Sequence, residues 1–236
     1  GKEFKEAVFI PTDEKSARCH IRYMPPADQR NRWGMKNGKQ VPANTTKFNM
    51  GADPFKLKTE QVIHRDRMSD GAGHVYALLD PSVDNLGKPR EEWVTDNFVL
   101  EYLFRPETPD LFAEDMAMIC VFYGCKIFPE NNINIIDKCF REWNMEEYLQ
   151  FQQRASNRNN MVVFKEDKTI AGAYNIDSLK PTLIRHGINF IREKGMYMPF
   201  PRTLEQFRDV SYDTFSHYDA AVSGLFTLCG VFDVPV

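Results

Sequence analysis

One stretch, residues 97–130, restricts the fold more than any other. Asn97 to Phe104 is a run of strand-forming residues, and the turn Arg105-Pro106-Glu107-Thr108 follows it. Thr108 is a suitable N-cap and Pro109 suits the first helical position. Leu111, Met116, Ile119, Val121 and Phe122 supply the apolar side of a helix from Pro109 to Tyr123, which Gly124 ends. A second apolar run, Ile127-Phe128, stops at Pro129-Glu130-Asn131-Asn132, as a short buried strand does. A helix between two strands makes a crossover to a parallel neighbour, so this chain belongs among α/β folds. An acid at the end of such a strand lies at the sheet's carboxyl edge, where open α/β sheets place their chemistry. Glu130 is therefore a candidate site residue, a solvated turn acid being the plain alternative.

The rest of the chain is taken around this unit. Phe48 to Asp53 is a weaker strand ending in Asp53-Pro54, a turn dipeptide, and His74 to Leu79 alternates as a strand does. With 97–104 these make three antiparallel strands before the parallel fourth. Downstream, the pattern predicts a helix over Asn132–Trp143, a polar loop over Arg154–Asn160, and a hairpin of Met161–Phe164 with Thr169–Ala171 across Lys165-Glu166-Asp167-Lys168. Helices are expected over Ser178–Glu193, Thr203–Val210 and Tyr218–Val231. The last is apolar almost all round, so it is buried. Ser216 followed by Asp219 gives it a capping-box-like start, and Asp219 gains from the positive end of the helix dipole. A carboxylate entering such a helix lies at the rim of the core. Residues 1–47 read as an arm or linker with one short strand near Ala7 to Ile10, and 48–236 as one domain.

Composition excludes several classes. No stretch approaches the roughly 18 apolar residues of a membrane span. The charged start, Gly1-Lys2-Glu3, lacks the apolar segment of a signal peptide, and a first residue of Gly reads as a piece of a longer protein. Five scattered cysteines without a CxxC pair argue against zinc and fit a reducing compartment. A net charge of −3 argues against strong nucleic-acid binding by charge alone, though not against a nuclease with metal-binding acids. No Gly-x-x-x-x-Gly-Lys-Ser/Thr loop is present, so this chain is not an ATPase motor.

Four segments in order then carry a resemblance: Gly51-Ala52-Asp53-Pro54, Lys126-Ile127-Phe128-Pro129-Glu130-Asn131-Asn132, Gly172-Ala173-Tyr174-Asn175 running to Lys180-Pro181, and His217-Tyr218-Asp219-Ala220-Ala221. From about Phe48 to Val231 the chain resembles the nuclease domain of the large terminase subunit of tailed bacteriophages, a ribonuclease-H-like nuclease. The resemblance implies a ribonuclease-H-like α/β fold whose central mixed sheet, three antiparallel strands and then parallel ones, is flanked by helices. It implies that Asp53, Glu130 and Asp219 are the catalytic, metal-binding acids. Tyr218 departs from the family, which has an acid there. A fourth acid of some members has no counterpart at Thr59, leaving Glu60, Asp66 or none. Oxygen-only ligands select Mg²⁺ or Mn²⁺, and two such ions would serve phosphodiester hydrolysis. Double-stranded DNA is the implied substrate, cut as concatemers during viral genome packaging. Lys56, Lys58, Arg65 and Arg67, with Arg154, Arg158, Lys165 and Lys168, are the candidate phosphate contacts. The implied partners are an upstream ATPase domain, a portal and a small terminase subunit, in the cytoplasm of a bacterial host and with no membrane. A junction resolvase of the same fold and a non-catalytic docking module are the alternatives.

Overall fold

The crossover unit expected from the sequence sets the sheet. In the computed structural model, which describes residues 2–55, 70–79, 87–88, 96–158, 161–173 and 176–232, strand β6 (Asn97–Phe104) leads into helix α1 (Pro109–Tyr123) and then strand β7 (Lys126–Pro129). Thr108 accepts the Leu111 N–H at the start of α1, and Gly124 closes its end in the left-handed conformation, φ 64°. Strands β4 (Phe48–Asp53) and β5 (Gly71–Ala77) complete the centre. An edge strand, β1 (Cys19–Ile21), makes the sheet five-stranded in the order β1-β6-β5-β4-β7. The pairs β1/β6, β6/β5 and β5/β4 are antiparallel, and β7 runs parallel to β4. Beyond β7, single parallel bridges join Ile127 to Leu149 and Glu130 to Ala173.

Helices cover both faces. Strand residues alternate between faces, so Phe48, Met50 and Ala52 of β4 join the core under α1 and α2 (Ile135–Glu142). Asn49, Gly51 and Asp53 take the other face, beneath α5 (Asp219–Phe232). That second core holds Phe98, Phe128, Leu183, Phe207 and Leu225, from the sheet, α3 (Ile176–Lys194), α4 (Pro201–Asp209) and α5. Helix α5 rests directly on β4: a Cβ on Gly51 would stand 2.2 Å from the Thr227 backbone nitrogen. No described helix is long and apolar enough to cross a membrane.

Three expectations are corrected. Ala7 to Ile10 forms no strand, because the Asn31 side chain takes both backbone groups of Ala7: its Oδ1 accepts the Ala7 N–H at 2.9 Å and its Nδ2 donates to Ala7 O at 3.0 Å. The strand of this region is β1, and a small hairpin of β2 (Trp33–Lys36) and β3 (Lys39–Pro42) follows. The polar stretch from Arg154 is not a loop, and Lys165 to Lys168 is not a turn. Strands β8 (Phe151–Arg158) and β9 (Met161–Ala171) pair in a two-stranded ribbon, with Arg154 opposite Lys165 and Arg158 opposite Met161. The ribbon is a sheet apart from the central one, and cross-strand backbone pairing needs no alternating sequence. Finally, Ser216 does not cap α5. It lies in a 3₁₀ turn, and the Gln206 side chain accepts the Ala220 and Ala221 N–H groups at 2.9 and 3.1 Å.

Candidate active site

Two acids meet because of strand parity. Gly51 pairs with Phe128 and Ala52 with Pro129 across the parallel β4/β7 ladder. The next step of that register sets Asp53 beside Glu130, and the Glu130 N–H donates to Ala52 O at 2.8 Å. Asp53 lies two residues beyond Gly51, and Glu130 two beyond Phe128, so both are on the α5 face of the sheet. Gly172 holds the next segment against this edge. Its φ is 69°, and a Cβ there would stand 1.9 Å from Pro129 O, so a side chain is excluded. That close approach lets Ala173 donate to Pro129 O and accept from Asn131, at 2.8 and 2.9 Å, on either side of Glu130.

Asp219, the first residue of α5, brings the third carboxylate from the helix layer. It runs antiparallel over β4, Gly230 lying against Asn49 and Thr227 against Gly51, which turns its N-terminus toward the Asp53 end. The Asp70 N–H donates to Asp219 Oδ2 at 2.9 Å, and the Asp70 carboxylate pairs with Arg202 of α4 at 3.3 Å. Arg105, at the end of β6, lies with its guanidinium 4.4 Å from the centre of the Phe55 ring.

The electrostatics follow from this crowding. Asp53, Glu130 and Asp219 are each partly buried. Burial pushes the Asp53 carboxyl well above the ordinary carboxylate range, and the charge of Glu130, a hydrogen bond with it and the charge of Asp219 push it further. Clustered carboxylates of this kind repel one another without a counter-charge, and a divalent cation would supply it. The donor set is all oxygen, which suits Mg²⁺ or Mn²⁺. As placed, no three His, Cys, Asp or Glu side chains among the described residues are grouped so as to hold one ion. The arrangement is thus an acid pair with a third acid in electrostatic reach, fitting a cation in chemistry but not closed around one.

A second polar cluster lies deeper, between the sheet and α4 and α5. His74 of β5 and Glu101 of β6 are register partners, both buried. His74 Nδ1 is 2.6 Å from Ser223 Oγ, and its Nε2 is 2.9 Å from Thr203 Oγ1. The Thr203 hydroxyl in turn donates to Glu101. Burial raises the Glu101 carboxyl, but the hydrogen bond and charge of His74 and the Thr203 hydroxyl outweigh it, and its pKa lies below the ordinary value. Ser223 is one turn beyond Asp219 and Thr227 one turn beyond that, so this cluster fastens the face of α5 that begins with Asp219.

Beside Asp219, His217 is exposed and Tyr218 packs against the second core. Lys56, Lys58, Glu60, Arg65, Asp66 and Arg67 lie outside the described residues. The backbones of Arg154, Arg158, Lys165 and Lys168 belong to the β8/β9 ribbon, whose base is hydrogen-bonded next to β7 through Gly172 and Ala173. Asp70, Arg202 and Gln206 belong to no motif in the sequence. Asp70 had a signal: an acid just before a strand antiparallel to β4 must begin at the edge where Asp53 ends. The sequence matches no protein-family model, and no curated protein matches it.

Proposed function

We propose that this chain is a divalent-metal-dependent endonuclease acting on double-stranded DNA, of the ribonuclease-H-like type found in the nuclease domain of terminase large subunits. The observation that carries this reading is the convergence of Asp53, Glu130 and Asp219, distant in sequence, on the carboxyl edge of β4 and β7. The order β6-β5-β4-β7, with three antiparallel strands and then a parallel one reached through α1, agrees with the fold that the resemblance implies. Asp53 and Glu130 would hold the cation as carboxylates, and Asp219 would close the site from the helix side. Bound divalent ions would supply charge stabilisation at phosphorus and an activated water for in-line displacement. The Asp70 N–H keeps the Asp219 carboxylate oriented. In this reading the chain works beside an ATPase domain on concatemeric viral DNA.

Plasmid nicking and linearisation with Mg²⁺, Mn²⁺ or chelator, beside Asp53→Ala, tests it. The expected result is cleavage that requires metal and is lost in the variant. No cleavage with either metal, together with no metal binding by calorimetry, would leave a docking module as the function. Preference for four-way junctions over linear duplex would make it a resolvase.

A further inference from the structure

The acids at the β4/β7 edge would face a substrate of their own sign, and α4 brings a cation to them. Arg202 Nη2 reaches Asp70 Oδ2 at 3.3 Å, and the Asp70 N–H reaches Asp219 Oδ2 at 2.9 Å, so two contacts link the guanidinium to the third carboxylate. The helix that bears Arg202 is held on both sides of it. Pro201 presets the first helical position. Thr203 is fully buried between His74 and Glu101. Gln206, one turn on, accepts two N–H groups of α5. The stem of Arg202 therefore starts from an anchored backbone, while its side chain stays 57% exposed. Among the described residues Asp70 is its one carboxylate partner, engaged through Nη2, whereas a guanidinium carries five N–H donors in a planar fork suited to phosphate. A surface ion pair of this kind contributes little to stability.

We propose that Arg202 is a substrate-phosphate-binding residue, which engages a backbone phosphate of duplex DNA beside the carboxylates while Asp70 positions it. The inference rests on the nuclease reading above and extends it to a residue outside the acid set.

The test uses the whole chain and a short blunt DNA duplex. Duplex affinity is measured across a salt series in an Asp53→Asn background, with plasmid cleavage and metal calorimetry in parallel in the otherwise unchanged chain. Arg202→Gln is expected to weaken duplex binding about tenfold and to lower the slope of log affinity against log salt by about one. Metal affinity and melting temperature should stay at their starting values, and Arg202→Lys should recover part of the binding. Arg208, exposed on the same helix and paired with Asp209, is the control: Arg208→Gln should leave affinity and slope unchanged. An unchanged slope in Arg202→Gln, an equal loss in Arg208→Gln, or weakened metal binding without a change in slope would each overturn the proposal while the nuclease reading stands. A chain with Arg202 intact that neither cuts nor binds duplex would remove both.

Discussion

At the scale of the residue, the acid pair makes opposite demands on stability and on binding. Asp53 is held above its ordinary pKa by burial, then by Glu130 and Asp219. A carboxyl whose folded pKa is raised contributes stability below its unfolded value, near 4. That stability is lost as pH rises through the folded value. By pH 7 to 8 the metal-free protein has lost stability relative to pH 4, because the unfolded chain has already released its proton there. Asp53→Asn should raise its melting temperature there by a few degrees, on the order of 1 kcal/mol or more, and the gain should vanish near pH 4. Excess Mn²⁺ should stabilise the unmodified chain and not the variant. Calorimetric melting at two pH values, with and without metal, checks both. A variant that melts lower than its parent at pH 8 would mean that Asp53 does not sit in a field of like charge.

At the scale of the element, α5 on β4 sets the site. The Gly51 position leaves no room for a methyl group, since the opposing atom is Thr227 backbone and not a side chain that could turn away. Gly51→Ala should destabilise by about 3 kcal/mol or more, a fall of about 6–12 °C in melting temperature for a domain of this size, and should weaken metal binding by displacing Asp219. The His74–Glu101 cluster gives a second check. Glu101 has a lowered pKa, so its stabilising effect is present above the unfolded value, near 4.3, and fades as pH falls through the folded one. Glu101→Gln should cost about 1–3 kcal/mol at pH 7, and the gap to the unmodified chain should narrow on acidification. A gap that is constant with pH would show that the carboxylate is not the anchor. These elements differ in how far sequence reveals them. Helix α1 carries its boundaries in Thr108, Pro109 and Gly124, and β6 carries a full run of strand formers, so both are legible. The β8/β9 ribbon is not, because residues such as Gln153, Arg154, Ser156 and Asn157 show no apolar alternation in the sequence and so read as loop. The acids at 53, 130 and 219 each end or begin an element and are visible as such. The link from Asp70 to Arg202 and the cap from Gln206 arise from packing between layers, and no local pattern encodes them.

At the scale of the molecule, the first 47 residues are packed onto the unit that carries the acids. Phe4 meets the Trp143 ring with centroids 5.1 Å apart, and Phe9 meets Phe122 at 4.7 Å. Tyr123 donates to Tyr23 O at 2.7 Å, and the Asn44 side chain spans Gln29 O and Tyr123 O at 2.8 and 2.9 Å. Arg18 pairs with Asp115, and β1 covers the outer edge of β6. Those of Phe9, Tyr23 and Asn44 meet the end of α1, just before β7 and the strand end that leads to Glu130. Removing the arm would expose Phe48, Phe122 and Tyr123 and leave β6 as an open edge, a template for aggregation. Aromatic pairs are worth about 0.5–1.5 kcal/mol each beyond the area they bury, so the loss is several kcal/mol in total. A chain beginning at Phe48 should therefore melt on the order of 10 °C lower than the full chain and self-associate in size-exclusion chromatography. If it instead melts with the full chain and stays monomeric, residues 1–47 act as a linker and the acid site stands on residues 48–236 alone. If it melts lower but still binds Mn²⁺ once folded, the arm supports the sheet without shaping the acid pair, as expected from its contacts at the opposite end of β7.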